Sequence, residues 1–123
     1  MAHYNDPYSL AYDWATENKQ GDYGSPTGGK CPISGRNRRT FHTCGDTILS
    51  YGMQLAHIEQ RSGGTYVMLD YLPRTSGGHG STATTNRHIR ALEGALWDAG
   101  TWEPSASKFG GYRLKYCTRT MQA

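Results

Sequence analysis

The sequence predicts an α+β fold: a small antiparallel β-meander of three to four strands, one packed helix in the C-terminal half, and an N-terminal helical arm. Three observations carry this expectation. Ten of the thirteen Ile, Leu and Val residues lie between Ile48 and Leu96, which concentrates the core there. Within that region strand-like runs alternate with turn signals before a single helical stripe. Residues 1–39, by contrast, are aromatic and polar with little aliphatic content, and read as a helix plus a basic Gly-rich loop attached to a core at 40–123.

Asp6-Pro7 sets the start of the arm's helix, with Asp as N-cap and Pro at the first helical position. Tyr8, Leu10, Ala11, Trp14 and Ala15 continue it to before Gly21. Residues 20–39 hold Gly, Ser, Pro, Asn and basic residues, a long loop for so small a domain. Thr40 to Cys44 is β-branched and aromatic, and Gly45-Asp46 supplies a two-residue turn. Thr47 to Gln60 reads as one strand bent at Gly52. Arg61-Ser62-Gly63-Gly64 is a hairpin signal, and Thr65 to Leu72 is the strongest strand pattern in the chain, stopped by Pro73. Thr84 or Thr85 caps a helix in which Ile89, Leu92, Leu96 and Ala99 share a stripe, and Gly100 is placed for a left-handed C-terminal cap. Tyr112 to Cys117 alternates and reads as an edge strand guarded by Arg113 and Lys115.

Only 15 of the 123 residues are Ile, Leu, Val or Phe, but the net charge is a modest +3, and nine Tyr and three Trp stand in for the missing aliphatics. This composition describes a folded domain with a lean, aromatic core rather than a disordered chain. A homodimer would supplement so lean a core. No run of about 18 apolar residues exists, so no membrane partner is expected. Residues 1–29 sum to −3 and residues 30–123 to +6. Such a basic body suits nucleic acid or an acidic protein surface.

The densest basic cluster is Arg36, Arg38 and Arg39, with Lys30 upstream and Phe41 and His42 after it. Arginine grips phosphate bidentately and stacks on bases. A second cationic place is the Gly- and hydroxyl-rich loop from Arg74 into the following helix, where free N–H groups, Arg87 and Arg90 would favour an anion. Tyr8, Tyr12 and Trp14 are candidate protein-interface anchors, since Tyr and Trp bury large areas at low entropic cost. Cys31, His42 and Cys44 could ligate zinc with His3, His57 or Cys117. They lack a Cys-x-x-Cys knuckle, so the expectation is no metal, no cofactor, and buried or idle reduced thiols. No nucleophile elbow, HExxH pair or paired-carboxylate motif appears, and the chain is not expected to be an enzyme.

Ser50-Tyr51-Gly52-Met53-Gln54-Leu55-Ala56, Tyr66-Val67 and Thr84-Thr85-Asn86-Arg87-His88 follow one another within residues 48–91. The set resembles a group of small, uncharacterised bacteriophage proteins with a Ser-Tyr-x-x-x-Ile/Leu-Ala strand, a Tyr-Val strand and a Thr-Thr-x-x-His helix start. The resemblance implies a phage-encoded protein acting in the host cytoplasm and transfers no activity. It puts Thr84, Thr85 and His88 forward as a set. The expected function is therefore non-enzymatic binding of nucleic acid or a host nucleoprotein complex through the basic loop and helix entrance. An anti-defence inhibitor of the anti-CRISPR type, or a virion or assembly component, are the alternatives.

Overall fold

A computed structural model describes residues 2–71 and 83–115. The chain forms β1 (Ala2–His3), α1 (Pro7–Glu17), β2 (Gly21–Lys30), β3 (Asn37–Cys44), β4 (Thr47–Ser50), β5 (Met53–Arg61), β6 (Gly64–Leu69), α2 (Ala83–Ala99), β7 (Gly100–Glu103) and β8 (Gly111–Leu114). All eight strands join one mixed sheet in the order β1-β2-β3-β4-β5-β6-β8-β7. Only β1 runs parallel to its neighbour. The expected small meander with one packed helix is thus corrected: the sheet is twice as wide, and two helices pack together on it.

Both helices pack for reasons visible in their residues, and α1 also starts for one. The Asp6 carboxylate accepts the Ser9 N–H at 2.8 Å, and Asn18 closes α1 in the left-handed conformation. Leu10, Ala11, Trp14 and Ala15 of α1 meet Ile89, Leu92, Ala95 and Leu96 of α2 in one cluster. Beneath them the strand register sets Ile48 beside Ala56, Ala56 beside Leu69, Ile58 beside Val67 and Val67 beside Tyr112. The apolar layer therefore runs unbroken from β4 to β8, and each large side chain buried in it contributes about 1.5–3 kcal/mol. Tyr8 donates its hydroxyl to Asp98, tying α1 to α2 at the rim.

Several local expectations change. Residues 20–39, expected as a loop, supply β2 and the start of β3. The single strand from Thr47 to Gln60 is two strands, reversed at Tyr51-Gly52, where both residues have positive φ as a type I′ turn requires. Thr84 and Thr85 lie inside α2 rather than capping it. Gly100 is no left-handed cap: α2 runs directly into β7, and a Cβ there would lie 2.7 Å from the Arg113 carbonyl oxygen. Nor is β8 an edge, since it lies between β6 and β7. The loop from Arg74 to Thr82, together with Pro73, Tyr116 and Cys117, falls outside the described residues.

Candidate functional site

The site grows out of a curled hairpin. Lys30 pairs with Asn37 at the start of β3, and Cys31 is the next residue. A straight strand would carry Cys44, seven residues on, about 23 Å from Asn37. Yet Cys31 and Cys44 line one cavity, close enough for each thiol to shift the other's ionisation. Two irregularities in the β2–β3 register, between Tyr23 and Pro26 and between Pro26 and Lys30, accompany the bend that this requires. Gly24 and Gly28 take the positive φ angles within the curled segment, 95° and 76°. The tip is held by the Cys31 N–H to the Arg36 carbonyl and the Gly35 N–H to the Cys31 carbonyl, both 2.8 Å.

The curl encloses a cavity of about 580 Å3. Cys31, Ser34 and Arg36 of the tip line it with Arg38, Arg39 and His42 of β3. Gln20, Asp22 and Cys44 complete its rim. Its volume lies within the range of small-ligand pockets. Three guanidinium groups face one carboxylate, so the cavity is cationic. Arg39 donates Nη1–H to the Gly24 carbonyl at 2.8 Å and lies 3.8 Å from Asp22. Arg38 donates Nε–H to the Lys30 carbonyl at 3.0 Å, and Lys30 reaches the Asn37 side chain at 2.7 Å.

Two groups in this cavity are buried without a protein partner among the described residues: Arg38 Nη1 and both ring nitrogens of His42. His42 is only 4% exposed. Burial lowers its pKa, the Arg38 charge lowers it further, and Asp22 opposes them, so its imidazole is neutral near pH 7. A neutral imidazole offers one N–H donor and one acceptor. Arg38, Arg36 and His42 can together present donors to an anionic oxygen.

The sequence-predicted residues separate into distinct places. Arg36, Arg38 and Arg39 converge on the cavity, with Lys30 linked to its edge through Asn37. Arg87 and Arg90 share a different, shallow groove on α2 with Ala83 and Asn86. Arg74 lies outside the described residues. Tyr8 and Tyr12 stack with ring centroids 6.0 Å apart, and Tyr8 is 38% exposed. Trp14 is not a surface anchor in this fold: it is 0% exposed and donates its indole N–H to the Gly45 carbonyl at 3.1 Å. Among the described residues no three His, Cys, Asp or Glu side chains gather to hold a metal ion.

Sequence reasoning placed Thr85 and His88 together but missed Ser50 as their partner. Ser50 Oγ lies 2.8 Å from His88 Nδ1 and donates to Thr85 Oγ1 at 3.3 Å. Phe41 stacks on the imidazole at 4.6 Å, with Tyr23 at its edge. Ser50 and His88 are both 0% exposed, so this serine–histidine pair braces α2 against β4 instead of meeting a substrate. A second histidine, His57, contacts Asp70 at 2.9 Å and Glu59 at 3.3 Å. Burial lowers its pKa, but the hydrogen bonds and charges of both carboxylates more than reverse this, and the net shift is upward. Comparison of the chain with protein-family models, with curated proteins and with solved structures finds no match.

Proposed function

We propose that this chain is a non-enzymatic binding protein that engages nucleic acid by taking a backbone phosphate into the arginine-lined cavity under the β2–β3 hairpin. The observation that carries this reading is the convergence of Arg36, Arg38, Arg39 and the unpartnered His42 on one cavity. Guanidinium groups match phosphate oxygens in a planar fork, and a neutral histidine adds a donor without competing for the charge. Beside the cavity, Arg38 packs along Gly52, whose neighbour Tyr51 is a half-exposed aromatic ring at the tip of the β4–β5 turn. Tyr51 is suited to stack an unpaired base next to a bound phosphate. The resemblance to small bacteriophage proteins supplies the setting, a host cell rich in nucleic acid and nucleoprotein targets.

Fluorescence anisotropy with a labelled single-stranded oligonucleotide and its duplex, across a salt series, tests the proposal. Arg36→Ala/Arg39→Ala should weaken single-strand binding at least tenfold. It should also reduce the slope of log K against log salt by about 0.7, one phosphate contact's worth. Unchanged affinity and slope in the double variant would overturn the reading. So would binding only to an acidic host protein with none to either oligonucleotide.

A further inference from the structure

We propose that Cys31 and Cys44 form a reversible redox pair, in which Cys31 reacts with a peroxide and Cys44 resolves the product as an intramolecular disulfide. The inference does not rest on the nucleic-acid reading, although the two sites share a wall. It begins from the fold: twelve residues lie between the cysteines, and the curl of the hairpin brings both to the wall of one cavity, where each thiol shifts the other's ionisation. Both sulfur-bearing residues line the 580 Å3 cavity, which gives a molecule as small as a peroxide a route to them.

The surroundings distinguish the two sulfurs. Burial raises the Cys31 pKa, but the influence of Ser34, of the Ile33 backbone and of Cys44 outweighs it, and the net shift is downward. The Ser34 N–H lies 3.5 Å from that sulfur. Cys44 shifts the other way, raised by burial and then by its neighbour's charge, with Ser34 and Arg36 opposing. Cys31 is thus the more readily ionised of the two. A thiolate held by several donors is the usual form of a reactive cysteine, whereas two idle buried thiols would both shift upward.

The chemistry balances. The Cys31 thiolate attacks one oxygen of hydrogen peroxide, the O–O bond breaks, and with a proton from solvent the products are a sulfenic acid and water. Cys44, losing its proton, then attacks the Cys31 sulfur, the S–O bond breaks, and the oxygen leaves with that proton as a second water. Two thiols are oxidised and one peroxide is reduced. The disulfide fastens the hairpin tip to the far end of β3, and a dithiol reductant reverses it.

Tryptic mapping of the intact chain after a peroxide pulse tests this directly, because Cys31, Cys44 and Cys117 fall in separate peptides: 31–36, 40–61 and 116–119. The expected product is peptide 31–36 linked to 40–61, lost on treatment with dithiothreitol. In Cys44→Ser, dimedone should trap a sulfenic acid on peptide 31–36. In Cys31→Ser no link between the two peptides can form, and Cys44 should oxidise more slowly than Cys31 does in Cys44→Ser. Free, alkylatable thiols on both peptides after the pulse would overturn the proposal, as would a link to peptide 116–119. Each result is read without any oligonucleotide, so failure of nucleic-acid binding leaves it intact.

Discussion

Lowering the pH should unfold this protein through His88. The side chain is completely buried between Ser50, Phe41 and Tyr23, and burial, aided by the Arg87 charge, lowers its pKa to about 4. The unfolded chain titrates near 6.5, so between those values the unfolded state binds the extra proton. Stability is therefore full above about 6.5 and is lost as pH falls toward 4. Linkage across this interval is worth about 3 kcal/mol in total, of which about 2 kcal/mol disappears between pH 7 and pH 5. Burial of His42 acts in the same direction, while the carboxylate-paired His57 acts oppositely, its contribution present at low pH and lost as pH rises. His88→Phe isolates the term, since a phenyl ring keeps the stack on Phe41 and cannot titrate. In urea unfolding, the wild type should lose about 1 M of midpoint more than His88→Phe between pH 7 and pH 5, for a slope near 2 kcal/mol per molar. Equal losses in the two proteins would refute the buried neutral imidazole.

Two further outcomes test the cavity and the core from other sides. Asp22 is the one carboxylate among the described residues lining the arginine cavity, and Asp22→Asn should tighten oligonucleotide binding two- to fivefold, the size of an exposed ion-pair term of about 0.4–1 kcal/mol. Weaker binding would mean that Asp22 organises Arg39 more than it repels the ligand. Gly110 has φ near 90°, and a Cβ there would lie 2.2 Å from the Trp102 ring. Gly110→Ala should therefore cost about 2 kcal/mol or more in urea unfolding, and an unchanged midpoint would contradict the packing of that loop.

What could be read from the sequence was written in side chains. Asp6-Pro7 announces α1, the spacing of Ile89, Leu92 and Leu96 announces α2, and Ser62-Gly63 fixes the β5–β6 hairpin. The misread segments are those whose pairing is carried by the backbone. β2 contains four glycines and a proline and no aliphatic side chain, so it presents no period of two to detect. Its attachment comes from main-chain pairing and from groups that reach main chain: Thr40 to the Tyr23 carbonyl, Thr27 to the Arg38 carbonyl, Arg39 to the Gly24 carbonyl. One signal did exist. A structureless run of about twenty residues in so small a domain is itself evidence for hidden strands. β7 escaped for a different reason, since four residues directly after a helix show too little alternation to register.

The same poverty of side chains explains why the cavity lies where it does. A strand rich in β-branched residues packs flat against its neighbours and resists bending, whereas one built on glycine can break register twice and fold over its partner. The bend carries Arg36 and Cys31 back over Arg38, His42 and Cys44, residues that an extended ribbon would spread along its length. The charge asymmetry follows from this arrangement as well. The acidic first segment is no free arm: Asp22 lies between His3 and Arg39, at 2.8 Å and 3.8 Å, so part of its charge offsets the basic hairpin beside it. Arg36 and Arg38 are left beside the unpartnered His42, where the curvature also makes an enclosure large enough to receive a ligand.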